Sequence, residues 1–133
     1  HGTCRRQRQM CIRDRLSRDN YINHLGTSSV LLDPLYFGAG NSFHESMVYG
    51  TPTVTMPTKF IKSRIVSAAY MQMEIEKPPI VKNKNEYVEL AIDIANSDNL
   101  LEIKKYYQNK ANEKLFNTTK AGEEFNQILL GLE

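Results

Sequence analysis

The sequence predicts an α/β fold with a helical C-terminal tail, and three observations carry that expectation. Two short apolar, β-rich runs, "SSVLLDP" (28–34) and "TPTVTMP" (51–57), are each closed by a proline, as suits buried parallel strands. A glycine-bearing loop, "LYFGAGNS" (35–42), follows the first run and leads into a helical pattern. Beyond the second run the chain reads as one helix after another. Strand, loop, helix, strand, helix is the order of a βαβ unit.

Taken in order, "SRDNYINHL" (17–25) predicts a short helix. Ser17 or Asp19 caps it, Tyr21, Ile22 and Leu25 form its apolar face, and Gly26 ends it. "SFHESMVYG" predicts a helix over 42–49 with Gly50 as its stop. "TKFIKSRIVSAAYMQM" (58–73) reads as a single helix with Phe60, Ile61, Ile65, Val66 and Ala69 on one face. "EKPPIV" is an extended connector with room for a short strand at Ile80–Val81. Two amphipathic helices follow. One is capped near Asn85, with Tyr87, Leu90, Ala91 and Ile94 inward; the other is capped by Ser97 or Asp98. A turn near Asn117 precedes a last helix through Phe125, Ile128 and Leu129.

At 133 residues and 41% hydrophobic, the chain suffices for one modest core. It has no apolar run near the roughly 18 residues of a membrane span, and no apolar stretch after its basic start that would make a secretory signal. The net charge of +2 and pI of about 8.5 rest on the first fifteen residues. Taking Arg5, Arg6, Arg8, Arg13 and Arg15 from seventeen basic residues, and Asp14 from fifteen acidic ones, leaves twelve against fourteen, a net of −2. A basic arm there could neutralise phosphates, but it lacks aromatic residues for base stacking. Cys4 and Cys11 are seven apart, a spacing of neither a zinc knuckle nor a redox pair. "RRQRQMCIRDR" (5–15) resembles, residue by residue, the conceptual translation of a transposase-type sequencing adapter whose mosaic end reads AGATGTGTATAAGAGACAG. Residues 1–15 are therefore expected to be an adapter-derived, disordered artefact and are set aside. The native chain, 16–133, is expected to start near Leu16 as the C-terminal piece of a longer protein.

Chemistry concentrates in "LLDPLYFGAGNSFHESMVYGTPTVTMP" (31–57). Ligands of open α/β sheets collect at the carboxyl ends of strands. A helix start presents unpaired N–H groups that suit a phosphate or diphosphate. Gly38 and Gly40 permit close backbone approach, Asn41 and Ser42 add donors, and Glu45, one turn on, can accept from the vicinal hydroxyls of a ribose. The same residues also fit an ordinary N-cap and a solvated glutamate.

The stretch resembles the donor-binding segment of the O-GlcNAc transferase family, including bacterial, SPINDLY-like relatives found behind tetratricopeptide repeats. The matching features are Asp33-Pro34, the loop Gly38-Ala39-Gly40, Asn41-Ser42, Glu45 and "GTPTVTMP" from Gly50 to Pro57. "KSRIVSAAY" and "LFNTTK" extend the resemblance across nearly all of 16–130. The resemblance implies a GT-B fold of two Rossmann-like lobes, with this chain the distal part of the C-terminal one. It implies inverting, metal-independent transfer of N-acetylglucosamine from UDP-GlcNAc to Ser or Thr, with no cofactor besides the nucleotide-sugar substrate. By position, Gly40, Asn41 and Ser42 meet the donor diphosphate, Gly38 and Ala39 support the loop, and Glu45 holds the ribose. Animal members carry histidine at the position of Gly40 and threonines at those of Asn41 and Ser42; many bacterial members have the glycine.

The family's base and diphosphate-binding lysine fall upstream, so no catalytic residue is named here and the fragment alone is expected to be inactive. Expected partners are the nucleotide sugar, a protein acceptor reached through the missing N-terminal lobe, and tetratricopeptide repeats. Neither nucleic acid nor membrane is expected, and cytoplasmic location is the default. Relatives using GDP-fucose or UDP-glucose, and a non-catalytic interaction module derived from such a lobe, remain alternatives. His44 and His24 read as packing or surface residues rather than bases. Lys59 and Arg64 could reach a phosphate but also suit a solvated helix start, and Tyr106, Tyr107, Met71 and Met73 read as core or lobe-interface contacts.

Overall fold

The computed structural model describes Leu16–Gly131; the segment 1–15, read above as adapter-derived, and residues 132–133 lie outside the described residues. The described chain is a mixed, mostly helical α/β structure: α1 (Arg18–Thr27), β1 (Leu31–Leu32), α2 (Asn41–Met47), β2 (Thr53–Val54), a 3-10 turn (Ile61–Ser63), α3 (Ile65–Gln72), α4 (Lys84–Ala95), α5 (Leu100–Lys110), a π-helical turn (Ala111–Leu115) and α6 (Thr119–Leu130).

β1 and β2 are parallel, with Leu31 opposite Thr53 and Leu32 opposite Val54. The expected strand at Ile80–Val81 is reduced to a parallel bridge between Thr55 and Ile80, held by Thr55 N–H to Pro79 O (3.0 Å) and Val81 N–H to Thr55 O (2.9 Å). One step back along β2 no strand serves that edge. Instead the Tyr70 hydroxyl accepts the Thr53 N–H (2.7 Å) and donates to the Thr53 carbonyl (2.9 Å). A side chain thus satisfies both backbone groups that a strand would otherwise pair. Burial drives the Tyr70 phenol far above its ordinary pKa, and it remains a neutral donor.

The core joins Phe43 and Met47 of α2, Val66, Ala69 and Tyr70 of α3 with Met73 at its C-cap, Tyr107 of α5, and Ala111 at the start of the π-helical turn. Phe43 meets Tyr70 edge-on, ring centres 5.3 Å apart at 80°. Met73 is core as expected, whereas Met71 is exposed. Tyr87, Leu90, Ala91 and Ile94 are the half-buried positions of α4.

Several helix boundaries depart from expectation. Gly26 does not end α1, which runs to Thr27; a Cβ at Gly26 would sit 2.9 Å from the Tyr49 ring, so its glycine serves close packing. α4 is capped by Asn83, not Asn85. Its side chain accepts the Glu86 N–H (2.9 Å) while Glu86 reaches back to the Lys82 N–H (3.0 Å), a reciprocal cap that the run of alternating Lys and Asn obscured. α5 begins after Asn99, one position beyond the expected Asp98. The single helix expected over 58–73 is interrupted. Phe60 is extended, Ile61–Ser63 form a 3-10 turn and Arg64 starts α3, so Phe60 and Ile61 lie exposed rather than in the core. The cause is local: Ser63 Oγ accepts the Thr58 N–H (3.0 Å) and donates to Phe60 O (2.9 Å), closing a turn that competes with helix.

α2 stops at Met47, and the chain turns at Gly50, the expected stop, with φ +68°; a Cβ there would fall 1.8 Å from Lys104 O of α5. Lys104 in turn donates to Gly26 O (2.8 Å) and Ser28 O (2.6 Å), and its partial burial lowers the ammonium pKa. Among the described residues no helix is long and apolar enough to cross a membrane.

Candidate functional site

The loop after β1 is held at successive residues. Asp33, 3% exposed, accepts the Ala39 N–H at Oδ1 (2.6 Å) and the Thr55 hydroxyl at Oδ2 (2.6 Å), and its carbonyl accepts the Tyr87 hydroxyl from α4 (2.8 Å). Burial, with Asp33 nearby, pushes the Tyr87 phenol up to about 12. Gly38 N–H donates to Lys62 O (2.8 Å), which ties the glycine loop to the loop after β2. A Cβ at Gly38 would approach Lys62 O to 3.0 Å and Asp33 Oδ1 to 3.3 Å, so glycine is what lets the two loops close on each other. Ala39 packs against the core.

Gly40 precedes the first residue of α2 and differs from Gly38. Its φ is −76° and nothing lies within 4 Å of the position a Cβ would take. The N–H groups of Asn41, Ser42 and Phe43, the first turn of α2, find no acceptor among the described residues. Asn41 is exposed. The Ser42 hydroxyl accepts from Tyr21 OH of α1 (2.8 Å), which leaves its own proton free to donate. Glu45 is partly buried and makes neither hydrogen bond nor ion pair among the described residues. The loop residues Gly38–Gly40 thus adjoin Asn41, Ser42 and Glu45 in one short turn of chain.

His44 Nδ1 lies 3.0 Å from Gly40 O and its ring packs edge-on against Phe43, contacts that hold it as a packing residue. With Arg64 and Met71 it lines a cavity of about 520 Å3. Lys59 sits over the Phe60 ring at 5.3 Å rather than at the loop. Among the described residues no three His, Cys, Asp or Glu side chains come together as a metal site would need.

The sequence presents Asp33 only as the residue before Pro34. Its role as the loop's anchor depends on Thr55, twenty-two positions on, and on the Ala39 backbone. A carboxylate followed six residues later by a glycine-flanked N–H was the available signal. No family model matches the chain, and no curated protein matches it.

Proposed function

We propose that residues 16–133 are the donor-binding part of the C-terminal, Rossmann-like lobe of a GT-B glycosyltransferase related to O-GlcNAc transferases. The observation that carries the reading is Gly40: a tightly anchored glycine loop ends there in open space at the first turn of α2. A donor diphosphate fits that space, with the N–H groups of Asn41 and Ser42 and the Ser42 hydroxyl as donors. Because Gly40 brings no side chain, binding falls to the backbone, which keeps its direction during reaction and stabilises the diphosphate as it leaves. Glu45, without a partner of its own among the described residues, accepts from the ribose hydroxyls. The reaction is inverting transfer of a sugar, N-acetylglucosamine from UDP-GlcNAc, to a Ser or Thr hydroxyl, and the reading assigns the general base to residues outside 16–133. It assigns no metal.

Titration of the isotope-labelled chain with UDP, followed by NMR, tests this. Shifts should centre on Gly38–Glu45, and Gly40→Val, at a position where an added Cβ meets nothing within 4 Å, should weaken binding roughly tenfold or more while the spectrum stays folded. A folded chain that shows no shifts at millimolar UDP, or shifts centred elsewhere, overturns the donor assignment and favours a non-catalytic module.

A further inference from the structure

A second concavity, about 240 Å3, opens at the carboxyl ends of the two strands, outside Glu45 and the first turn of α2. Tyr36 and Phe60 form its aromatic walls, Met56 adds apolar surface, and Lys62 and Lys84 line it. Lys59 places a third ammonium over the Phe60 ring. Among the described residues none of these lysines forms an ion pair, and no carboxylate lines the concavity.

The apolar side chains are left in water. Tyr36 is 83% exposed, Phe60 56% and Ile61 86%. The loops that carry them are nonetheless fixed: Ser63 braces Thr58 and Phe60, and Gly38 N–H grips Lys62 O. Ile61, the residue after Phe60, lines the 520 Å3 cavity, where Arg64 supplies another cation. The result is a pre-organised band of aromatic and aliphatic side chains edged by Lys59, Lys62, Lys84 and Arg64. These cations stand out on a chain that from Leu16 on carries a net −2 with them included.

We propose that this band docks an extended protein segment in which acidic side chains alternate with large apolar ones. The apolar side chains enter between Tyr36 and Phe60 and beside Ile61, and the acidic ones meet the lysine edge. Several exposed aromatic and aliphatic side chains beside lysines offer a sugar or phosphate more apolar ground than it would cover. A nucleic acid would need a continuous basic track, and the cations here flank apolar ground instead. Where the donor reading holds, the docked segment is the acceptor, presented beside the glycine loop; docking itself is independent of that reading.

The test is fluorescence anisotropy with the full chain. The probe is a fluorescein-labelled peptide alternating glutamate and phenylalanine around one serine, and a matched lysine–phenylalanine peptide and poly-uridine RNA are comparators. The acidic peptide should bind best and bind more weakly as salt rises. Lys62→Glu combined with Lys84→Glu should weaken it roughly tenfold, and Tyr36→Ala several-fold. Both variants change exposed side chains, and circular dichroism verifies their folding. Equal binding of the lysine peptide, tighter binding of the RNA, or indifference to charge reversal overturns the proposal. So does self-association of the chain that Lys62→Glu abolishes, which would make a second copy the occupant. A parallel UDP titration separates the two readings: peptide binding without UDP binding sinks only the donor assignment.

Discussion

Replacing Tyr70 by phenylalanine removes one oxygen and leaves the ring, its edge-on contact with Phe43 and the core volume in place. What is lost is the surrogate strand. Thr53 is fully buried, so its N–H and C=O, now bonded to Tyr70 at 2.7 and 2.9 Å, would face apolar side chains with no water in reach. A stranded buried backbone group costs about 1–3 kcal/mol. Two of them place the loss at about 2–6 kcal/mol, a large share of the 5–15 kcal/mol typical of a whole domain. The midpoint of thermal unfolding should fall by roughly 10–20 °C. Tyr107→Phe is the matched control, because its hydroxyl forms no hydrogen bond among the described residues although its ring lies against Tyr70, centres 5.8 Å apart and tilted by 44°. Urea and thermal unfolding by circular dichroism would compare the two. If Tyr70→Phe loses no more stability than Tyr107→Phe, the Tyr70 hydroxyl does not complete the edge of β2 and the account of the sheet is wrong.

Thr53→Val should stabilise the chain by about 1 kcal/mol in the same urea assay, since Thr53 Oγ1 is buried without a hydrogen-bond partner among the described residues and the swap keeps its shape; a loss would show that the hydroxyl is used. Asp33→Ala should cost about 2–4 kcal/mol by stranding the Ala39 N–H and the Thr55 hydroxyl. Amide hydrogen exchange should then rise first at Gly38–Gly40, and uniform loosening would contradict a loop anchor. Alkali should unfold the chain through its tyrosines: burial raises Tyr107 to about 12, so the neutral phenol's contribution is intact below pH 10 and is lost between about 10 and 12. That contribution is about 3 kcal/mol at most. Tyr107→Phe should flatten stability against pH in this window, and an unchanged profile would refute the assignment.

Legibility in the sequence followed the range of the interactions. The order of elements, the two strand sites, the Ser17 cap and the half-buried face of α4 depend on neighbours within a few positions, and all could be read. The turn at Gly50 was also foreseeable, though its strongest reason, the Lys104 carbonyl where a Cβ would lie, is fifty-four residues away. The expected helix over 58–73 failed because periodicity counted Phe60 and Ile61 as core positions, while the Thr58–Ser63–Phe60 bonds fixed a turn instead. α6 shows the converse. Its apolar pattern is real, yet Phe125, Ile128 and Leu129 stand exposed, since amphipathicity states that a face is to be covered and not by what.

The motif most conspicuous in the sequence turns out to be mainly scaffold. In "GTPTVTMP", Gly50 makes the turn and Thr51 Oγ1 donates to the Leu25 carbonyl at 2.7 Å. Pro52 O accepts the Leu31 N–H, Thr53 and Val54 form β2, and Thr55 joins Asp33 to the third-strand bridge. At least five of its positions thus have structural work that any chain of this topology would require. Such a block therefore weighs more for fold than for chemistry. Under the donor reading, the functional weight shifts to residues with few contacts of their own: Gly40, with nothing within 4 Å of an added Cβ; Asn41, exposed at the head of α2; and Glu45, whose side chain has no hydrogen bond or ion pair among the described residues. Substituting Asn41 or Glu45 should leave stability within about 0.5 kcal/mol, as surface changes do, whereas Gly40→Val, at the N-cap of α2, should cost about 1 kcal/mol. If Gly40→Val or Glu45→Gln leaves UDP binding unchanged, the donor site is not here.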